Sequence, residues 1–179
     1  MKIRILGTGT SIPSLARCPS SYLVSVRNKN ILVDAGPSVV RRLLEYGYGI
    51  NDIDIILVTH FHVDHTADLS TFLFACNYGI RPRTKKLLII GGQGIFKFYK
   101  GLRGIYPWIY PKSYKLMIKS MPSEKMILGD IEIITARVNH NRESIGIRIQ
   151  AGKSVVFSGD TDYSRNLVKL SHGADLLVA

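Results

Sequence analysis

A group of metal-binding side chains that directly follows an apolar segment constrains this chain more than any other feature. Residues 53–58 predict a buried strand, and His60-Phe61-His62-Val63-Asp64-His65 comes immediately after it. On an extended backbone His60 and His62 point to the same side, and Asp64 continues that alternation. Three imidazoles and a carboxylate would each need a partner in an apolar core. Zinc accepts such nitrogen and oxygen ligands, so the segment predicts a divalent-metal site.

The rest of the chain alternates between predicted strands and helices. Periodicity and turn residues predict strands at residues 2–6, 20–26, 31–34, 87–90, 113–120, 130–138, 144–150, 153–157 and 175–179, and helices at 38–46, 67–76, 95–102 and 165–170. This order predicts an α/β (α+β) chain, and 179 residues suit a single domain. No apolar run approaches the ~20 residues of a membrane span, so no membrane partner is expected. The absence of a signal-peptide pattern and the two cysteines favour a cytoplasmic location.

The chain is basic, with 24 Lys and Arg against 13 Asp and Glu and a net charge of +11. That excess favours anionic partners such as phosphates or nucleic acid. It is equally compatible with a solvated basic surface.

The segment Gly104-Ile105-Tyr106-Pro107-Trp108-Ile109-Tyr110-Pro111 has the most unusual composition in the chain. It could form a lid or a stacking surface for substrate, but a packed connection between a helix and a strand is the favoured interpretation. If the segment borders the metal cleft, Tyr106, Trp108 and Tyr110 are the candidates for substrate specificity.

The His-x-His-x-Asp-His pattern resembles the signature of the metallo-β-lactamase-fold hydrolases. The Gly7-Thr8-Gly9 loop, residues 17–21 and Thr66-Ala67-Asp68-Leu69 look most like the ribonuclease Z-like branch. The resemblance implies a four-layer αββα sandwich with the metal site at one edge, and it supplies further site residues. It places His60, His62 and His140 on a first metal, Asp64, His65 and a shared Asp160 on a second, and Asp34 as an outer hydrogen-bond partner of a metal-bound histidine.

The resemblance further implies a metal-dependent hydrolase in which a hydroxide bridging two Zn²⁺ ions attacks a phosphodiester, with Asp64 as the catalytic carboxylate. Mn²⁺ or Fe could replace zinc, and the anionic substrate could be RNA, although the long arm of transfer-RNA-processing members is missing. A lactonase or thioesterase shares these ligands and stays an alternative, as does a catalytically incomplete metal- or nucleic-acid-binding remnant. No residue matches the family's last histidine, so we expect residues 1–179 to form one domain truncated before its last strands and helix, with an incomplete second site. The family also allows a homodimer, for which nothing in the sequence is diagnostic.

Overall fold

The structure is a computed structural model that describes residues 1–12 and 14–179. Two β-sheets face each other across an apolar layer. The first sheet runs in chain order through β1 (Lys2–Gly7), β2 (Ser21–Val26), β3 (Lys29–Val33), β4 (Ile55–Val58), β5 (Leu87–Gly91) and β6 (Leu116–Ser120). Its first three strands are antiparallel, and β3 to β6 are parallel.

The second sheet is built from the C-terminal part of the chain. It contains β7 (Lys125–Leu128), β8 (Ile131–Arg137), β9 (Ile145–Ala151), β10 (Lys153–Phe157) and β11 (Leu176–Val178), in that spatial order. Neighbouring strands from β7 through β10 are antiparallel, whereas β11 pairs in parallel with β10.

Helices cover the outer faces of both sheets. On the first sheet lie α1 (Val39–Glu45), α2 (Val63–Tyr78) and α3 (Ile95–Ile105), packed on a core that includes Phe72 and Leu73. On the second lies α4 (Arg165–Ser171), which contacts β8 and β9. Between the sheets a second core joins side chains such as Leu57 and Phe157. The predicted αββα sandwich is therefore confirmed for the described residues.

Two details differ from the expectation. Helix α2 begins at Val63 rather than at residue 67, so Asp64 stands in the first helical turn and does not continue the alternation of the strand. An acidic residue in the first turn is favoured by the helix dipole, which explains the earlier start. The short strand β7 was not predicted, because residues 122–129 were interpreted as connecting turns.

None of the helices in the described ranges is both long and apolar enough to cross a bilayer.

Candidate metal centre

The predicted ligands gather where strands of both sheets end. His60 follows β4, and His62 occupies the residue before α2 in an extended conformation. His140 lies in the turn after β8, and Asp160 comes shortly after β10. A hydrogen bond from Ile145 N to Thr59 O (3.0 Å) ties the two sheets together beside this edge. Residues far apart in sequence thus meet in one place.

Four of these side chains converge closely enough to share an ion. One potential metal-ligand atom from each of His60, His62, His140 and Asp160 lies within 4.8 Å of the others. His62 Nδ1 and His140 Nε2 are 3.2 Å apart. This agrees with the distance of about 3.3 Å between two nitrogens that bind one tetrahedral zinc. His60 Nε2 is buried and has no hydrogen-bond partner in the described part of the chain. An orphaned buried donor atom among such ligands fits a metal, and the group supports a metal cofactor.

The carboxylate of Asp160 lies between two sets of predicted ligands. Its Oδ2 is 3.8 Å from His60 Nε2, and its Oδ1 is 3.4 Å from His65 Nε2. Asp64 Oδ2 also lies 3.9 Å from His65 Nε2. His65 and Asp64 therefore stand next to the four-residue group, on the side of Asp160, where the resemblance puts the second metal.

Behind the histidines lies a buried polar network centred on Asp34. Its carboxylate accepts hydrogen bonds from Thr59 N (2.8 Å) and from Thr59 Oγ1 (2.8 Å to Oδ2), and it lies 2.7 Å from His65 Nδ1. Asp34 adopts a positive φ of 60° at the end of β3, an uncommon conformation that aspartate tolerates better than most residues. The side chain that was proposed as an outer partner therefore contacts His65 directly and His60 only through Thr59.

This network determines which nitrogen of each buried imidazole faces the site. The single hydroxyl proton of Thr59 goes to Asp34, because a carboxylate can only accept. Thr59 Oγ1 must then accept from His60 Nδ1, which is 3.1 Å away. His65 Nδ1 likewise donates to Asp34. When the imidazoles are neutral, the lone pair of each is therefore on Nε2, the nitrogen that lies near Asp160, as metal ligation requires.

The two buried histidines have opposite pKa shifts. Burial, helped by repulsion from the other imidazoles, lowers the pKa of His60 to about 3. Burial also disfavours protonation of His65, but the hydrogen bond and charge of Asp34, together with Asp160 and Asp64, outweigh it and raise the pKa of His65. The imidazole of His60 is therefore uncharged at neutral pH and able to act as a metal ligand.

Two residues of the site were not singled out from the sequence. Thr59 is one, although its place between β4 and the histidines was a usable signal. Asn141 is the other, because its side-chain amide lies 2.9 Å from His62 Nε2. The nitrogen and oxygen of an asparagine amide are assigned from their hydrogen-bond partners. With the oxygen of Asn141 toward Nε2–H, His62 presents Nδ1 to His140.

Two glycines allow the backbone to approach the site closely. A Cβ on Gly159, which has a φ of +58°, would lie 2.8 Å from Thr59 Cβ. A Cβ on Gly36 would lie 1.9 Å from the carbonyl oxygen of Asp64. Side chains at either position would push Asp160 or the start of α2 away from the histidines.

The surroundings of the centre separate near candidates from remote ones. A cavity of about 390 Å³ opens beside His65 and Asp160, and Thr8 and Gly9 of the Gly-Thr-Gly loop form part of its wall. His172 ends α4 as an exposed residue and does not join the four-residue group. Tyr106 and Trp108 line a different cavity, described below.

Comparisons with known proteins agree with this geometry. The family described as "Anti-Pycsar protein Apyc1" matches residues 1–178. The ribonuclease Z of Mycolicibacterium gilvum is 31% identical over 197 residues, covering 99% of this chain and 68% of that protein. The ribonuclease Z of Clostridium acetobutylicum is 30% identical over 164 residues, covering 88% of this chain and 52% of that protein. This chain thus spans from about half to two thirds of the length of these two relatives.

Among solved structures, the metallo-beta-lactamase fold protein YhfI from Bacillus subtilis superimposes with a TM-score of 0.82 at 24% identity, covering 99% of this chain and 70% of that one. That likeness establishes the fold. Together with the match over residues 1–178, it shows that the chain belongs to the anti-Pycsar protein Apyc1 family, in the ribonuclease Z-like branch of the metallo-β-lactamase fold.

Proposed function

We propose that this chain is a metal-dependent hydrolase that cleaves phosphodiesters. The convergence of three histidines and Asp160 around the orphaned Nε2 of His60 carries the proposal. Membership in a branch that contains ribonuclease Z supplies the substrate class. The net charge of +11 is in keeping with an anionic substrate, which could be RNA.

The ligand assignment that we propose follows the two sides of Asp160. His60, His62 and His140 would hold the first ion, and Asp64 and His65 the second, with Asp160 shared. Nitrogen and carboxylate donors of this kind suit Zn²⁺, and Mn²⁺ or Fe are alternatives. When bound, such ions lower the pKa of water and neutralise charge on a phosphoryl group.

The protein's own groups have distinct tasks in this proposal. Asp34 and Thr59 hold the imidazoles of His65 and His60 in the required tautomers. Asp64, whose side chain is mostly buried beside His65, would orient the attacking water and accept its proton. The cavity beside His65, lined partly by Thr8 and Gly9, would receive the part of the substrate next to the scissile phosphate.

A chromogenic phosphodiester assay tests the proposal. Bis(p-nitrophenyl) phosphate should be hydrolysed after reconstitution with Zn²⁺ or Mn²⁺. H140A should abolish hydrolysis, and D64N should lower kcat by ~10²-fold or more while the first ion, held by His60, His62 and His140, is retained. H172A is the matched control, because it removes an exposed histidine outside the site, and it should leave the rate unchanged.

The same panel should include a lactone and a thioester. Faster cleavage of either than of the phosphodiester would replace the phosphodiesterase assignment by the lactonase or thioesterase alternative. Stoichiometric metal with no hydrolysis of any substrate would reject the enzyme proposal and leave a metal-binding domain.

A further inference from the structure

The positive charge of this protein is concentrated in one stretch of the sequence. No Asp or Glu occurs between Asp68 and Glu124, and ten of the 24 Lys and Arg residues lie there. They are Arg81, Arg83, Lys85, Lys86, Lys97, Lys100, Arg103, Lys112, Lys115 and Lys119. Within the described ranges, Lys85 and Lys119 are the ones that form an ion pair with an acidic residue. This stretch includes α3 and most of α2, which cover the same outer face of the first sheet.

Exposed aromatic rings lie within this basic region. Phe74 and Tyr78 on α2 stack at 4.7 Å, and Tyr106, Trp108 and Tyr110 follow α3. All five are exposed, with Trp108 at 57% and Tyr110 at 58% of full exposure. We call these five rings the aromatic face. An exposed group of large rings on this scale usually marks an interaction site.

The chain holds the aromatic face in a fixed position. Asn77 is buried, its amide nitrogen donates to the carbonyls of Trp108 (2.8 Å) and Tyr110 (2.7 Å), and its oxygen accepts from Lys112 N (3.1 Å). Ile109 points inward and is 1% exposed, so the rings on either side of it point outward. A surface that is rigid before binding loses little entropy when a ligand binds.

Cations and a cleft complete the surface. The guanidinium of Arg103 lies 5.3 Å from the ring of Tyr110, and Lys112 Nζ lies 4.1 Å from the ring of Tyr78. A cleft of about 340 Å³ runs between Phe74 and the rings of Tyr106 and Trp108, and hydroxyl residues also line it. Flat rings supply stacking area, the cations meet phosphates, and hydroxyls can hydrogen-bond to base or sugar edges.

We infer that the aromatic face, with its surrounding cations, binds single-stranded nucleic acid by stacking bases on the rings. Proteins that bind single strands combine a positive groove with stacked aromatic side chains in this way. The surface is also physically connected to the metal centre. Phe61, which lies between His60 and His62 in the sequence, stacks on Phe98 of α3 at 4.6 Å. Helix α2 starts directly after His62.

Two other occupants fit the surface less well. A second copy in a two-fold dimer would bring this face against itself, which would place Lys100, Arg103 and Lys112 of both copies together with no acidic partners from this stretch. An anionic membrane would match the charge, but a cleft lined partly by Ser70 and Thr71 suits a planar base better than an acyl chain.

Fluorescence anisotropy tests the inference. The probe is a labelled oligouridylate about 12 nucleotides long, which is within the range that a stacking groove covers. Binding to the purified protein is measured once with Zn²⁺ and once in a chelator without Zn²⁺. W108A should weaken binding by roughly five-fold or more without changing the salt dependence. R103A/K112A should reduce the slope of log K against log salt by about 0.7 for each lost phosphate contact.

Matched controls lie outside the surface. Y46A removes a similarly exposed tyrosine, and K169A removes an exposed lysine from α4 on the other sheet. Neither should change binding. Equal affinity of W108A and the unchanged protein would overturn the inference. So would preferential binding to phosphatidylglycerol vesicles, or a concentration-dependent dimer that W108A abolishes.

The inference relies on the proposed function only in choosing nucleic acid among polyanions. H60A separates the two, because it should abolish hydrolysis of the chromogenic phosphodiester while oligouridylate binding persists. Loss of binding in W108A with no hydrolysis by any form would uphold the surface and reject the enzyme.

Discussion

Thr59 connects the buried carboxylate of Asp34 to the buried histidine His60, and removing its hydroxyl should weaken metal binding. In T59V the side chain keeps nearly the same volume, so the close packing against Gly159 is retained. The Nδ1–H of His60, now 3.1 Å from a methyl group instead of an oxygen, loses its acceptor in a fully buried position. The proton can then move to Nε2, the nitrogen that faces the site.

The cost has two parts that separate measurements can resolve. Loss of an outer partner of a metal-bound histidine typically weakens metal affinity by about 10–100-fold, or about 1.4–2.8 kcal/mol. A buried donor left unsatisfied costs about 1–3 kcal/mol of folding stability in the metal-free protein. Competition with a chromophoric chelator measures the first, and denaturant unfolding in chelator measures the second.

T59S is the matched control, because it keeps the hydroxyl and removes only a methyl group. We expect T59S to bind Zn²⁺ within a few-fold of the unchanged protein, and ¹⁵N spectra of the metal-free protein to show Nδ1–H on His60 in T59S but a mixture in T59V. If T59V binds Zn²⁺ as tightly as T59S, the network does not set the tautomer and this reasoning is refuted.

Three further predictions follow from other contacts. G159A should lose about 1–3 kcal/mol of folding stability and bind Zn²⁺ more weakly, because its Cβ would press on Thr59. G152A is the control: its backbone is strained at a φ of +79° but has open space around it, so it should lose folding stability without losing zinc affinity. Equal zinc affinities of the two variants would contradict the prediction. Burial opposes ionisation of Asp54, but the hydrogen bonds from Lys85 and from the backbone N–H of Asn30, together with the charges of Lys85 and Lys29, outweigh it and lower the pKa of Asp54. The stability that this carboxylate contributes is therefore present above about pH 4 and lost as pH falls through its lowered pKa. D54N should consequently be less stable than the unchanged protein by about 1–2 kcal/mol near pH 7 in urea unfolding, with the difference shrinking below pH 4; a constant difference would disprove the ion-pair explanation. Zn²⁺ at about 100 times its Kd should stabilise the fold by about 2.7 kcal/mol, and H62A/H140A, but not H172A, should remove that gain in a thermal unfolding assay.

The sequence predicted the fold well because its strongest signals are local. Alternating or continuous apolar runs bounded by turns gave most strands, and the resemblance carried by the histidine segment predicted the sandwich. The start of α2 was misplaced because residues 60–64 were interpreted as an extended ligand segment, whereas the helix already begins at Val63 and His62 is the extended residue before it. Strand β7 was missed because it is short, and turn residues on both sides hide it.

The site was less predictable, because its outer partners are fixed by tertiary contacts. Thr59 and Asn141 each stand next to a predicted ligand in the sequence, but that position alone does not show that their side chains reach the imidazoles of His60 and His62. The aromatic segment is indeed a packed connection, held by Asn77, but its rings point outward rather than into the core. The net charge of +11 also says nothing of where the positive charge lies, and nearly all of the excess lies between Asp68 and Glu124.

The central claim is that His60, His62, His140 and Asp160 hold a divalent ion. Anomalous diffraction at the zinc edge, on crystals grown with Zn²⁺, tests it most directly. The account predicts a strong peak about 2.0–2.2 Å from His60 Nε2, His62 Nδ1 and His140 Nε2. No peak at this position at full zinc exposure, or a peak that these four side chains do not surround, would contradict it.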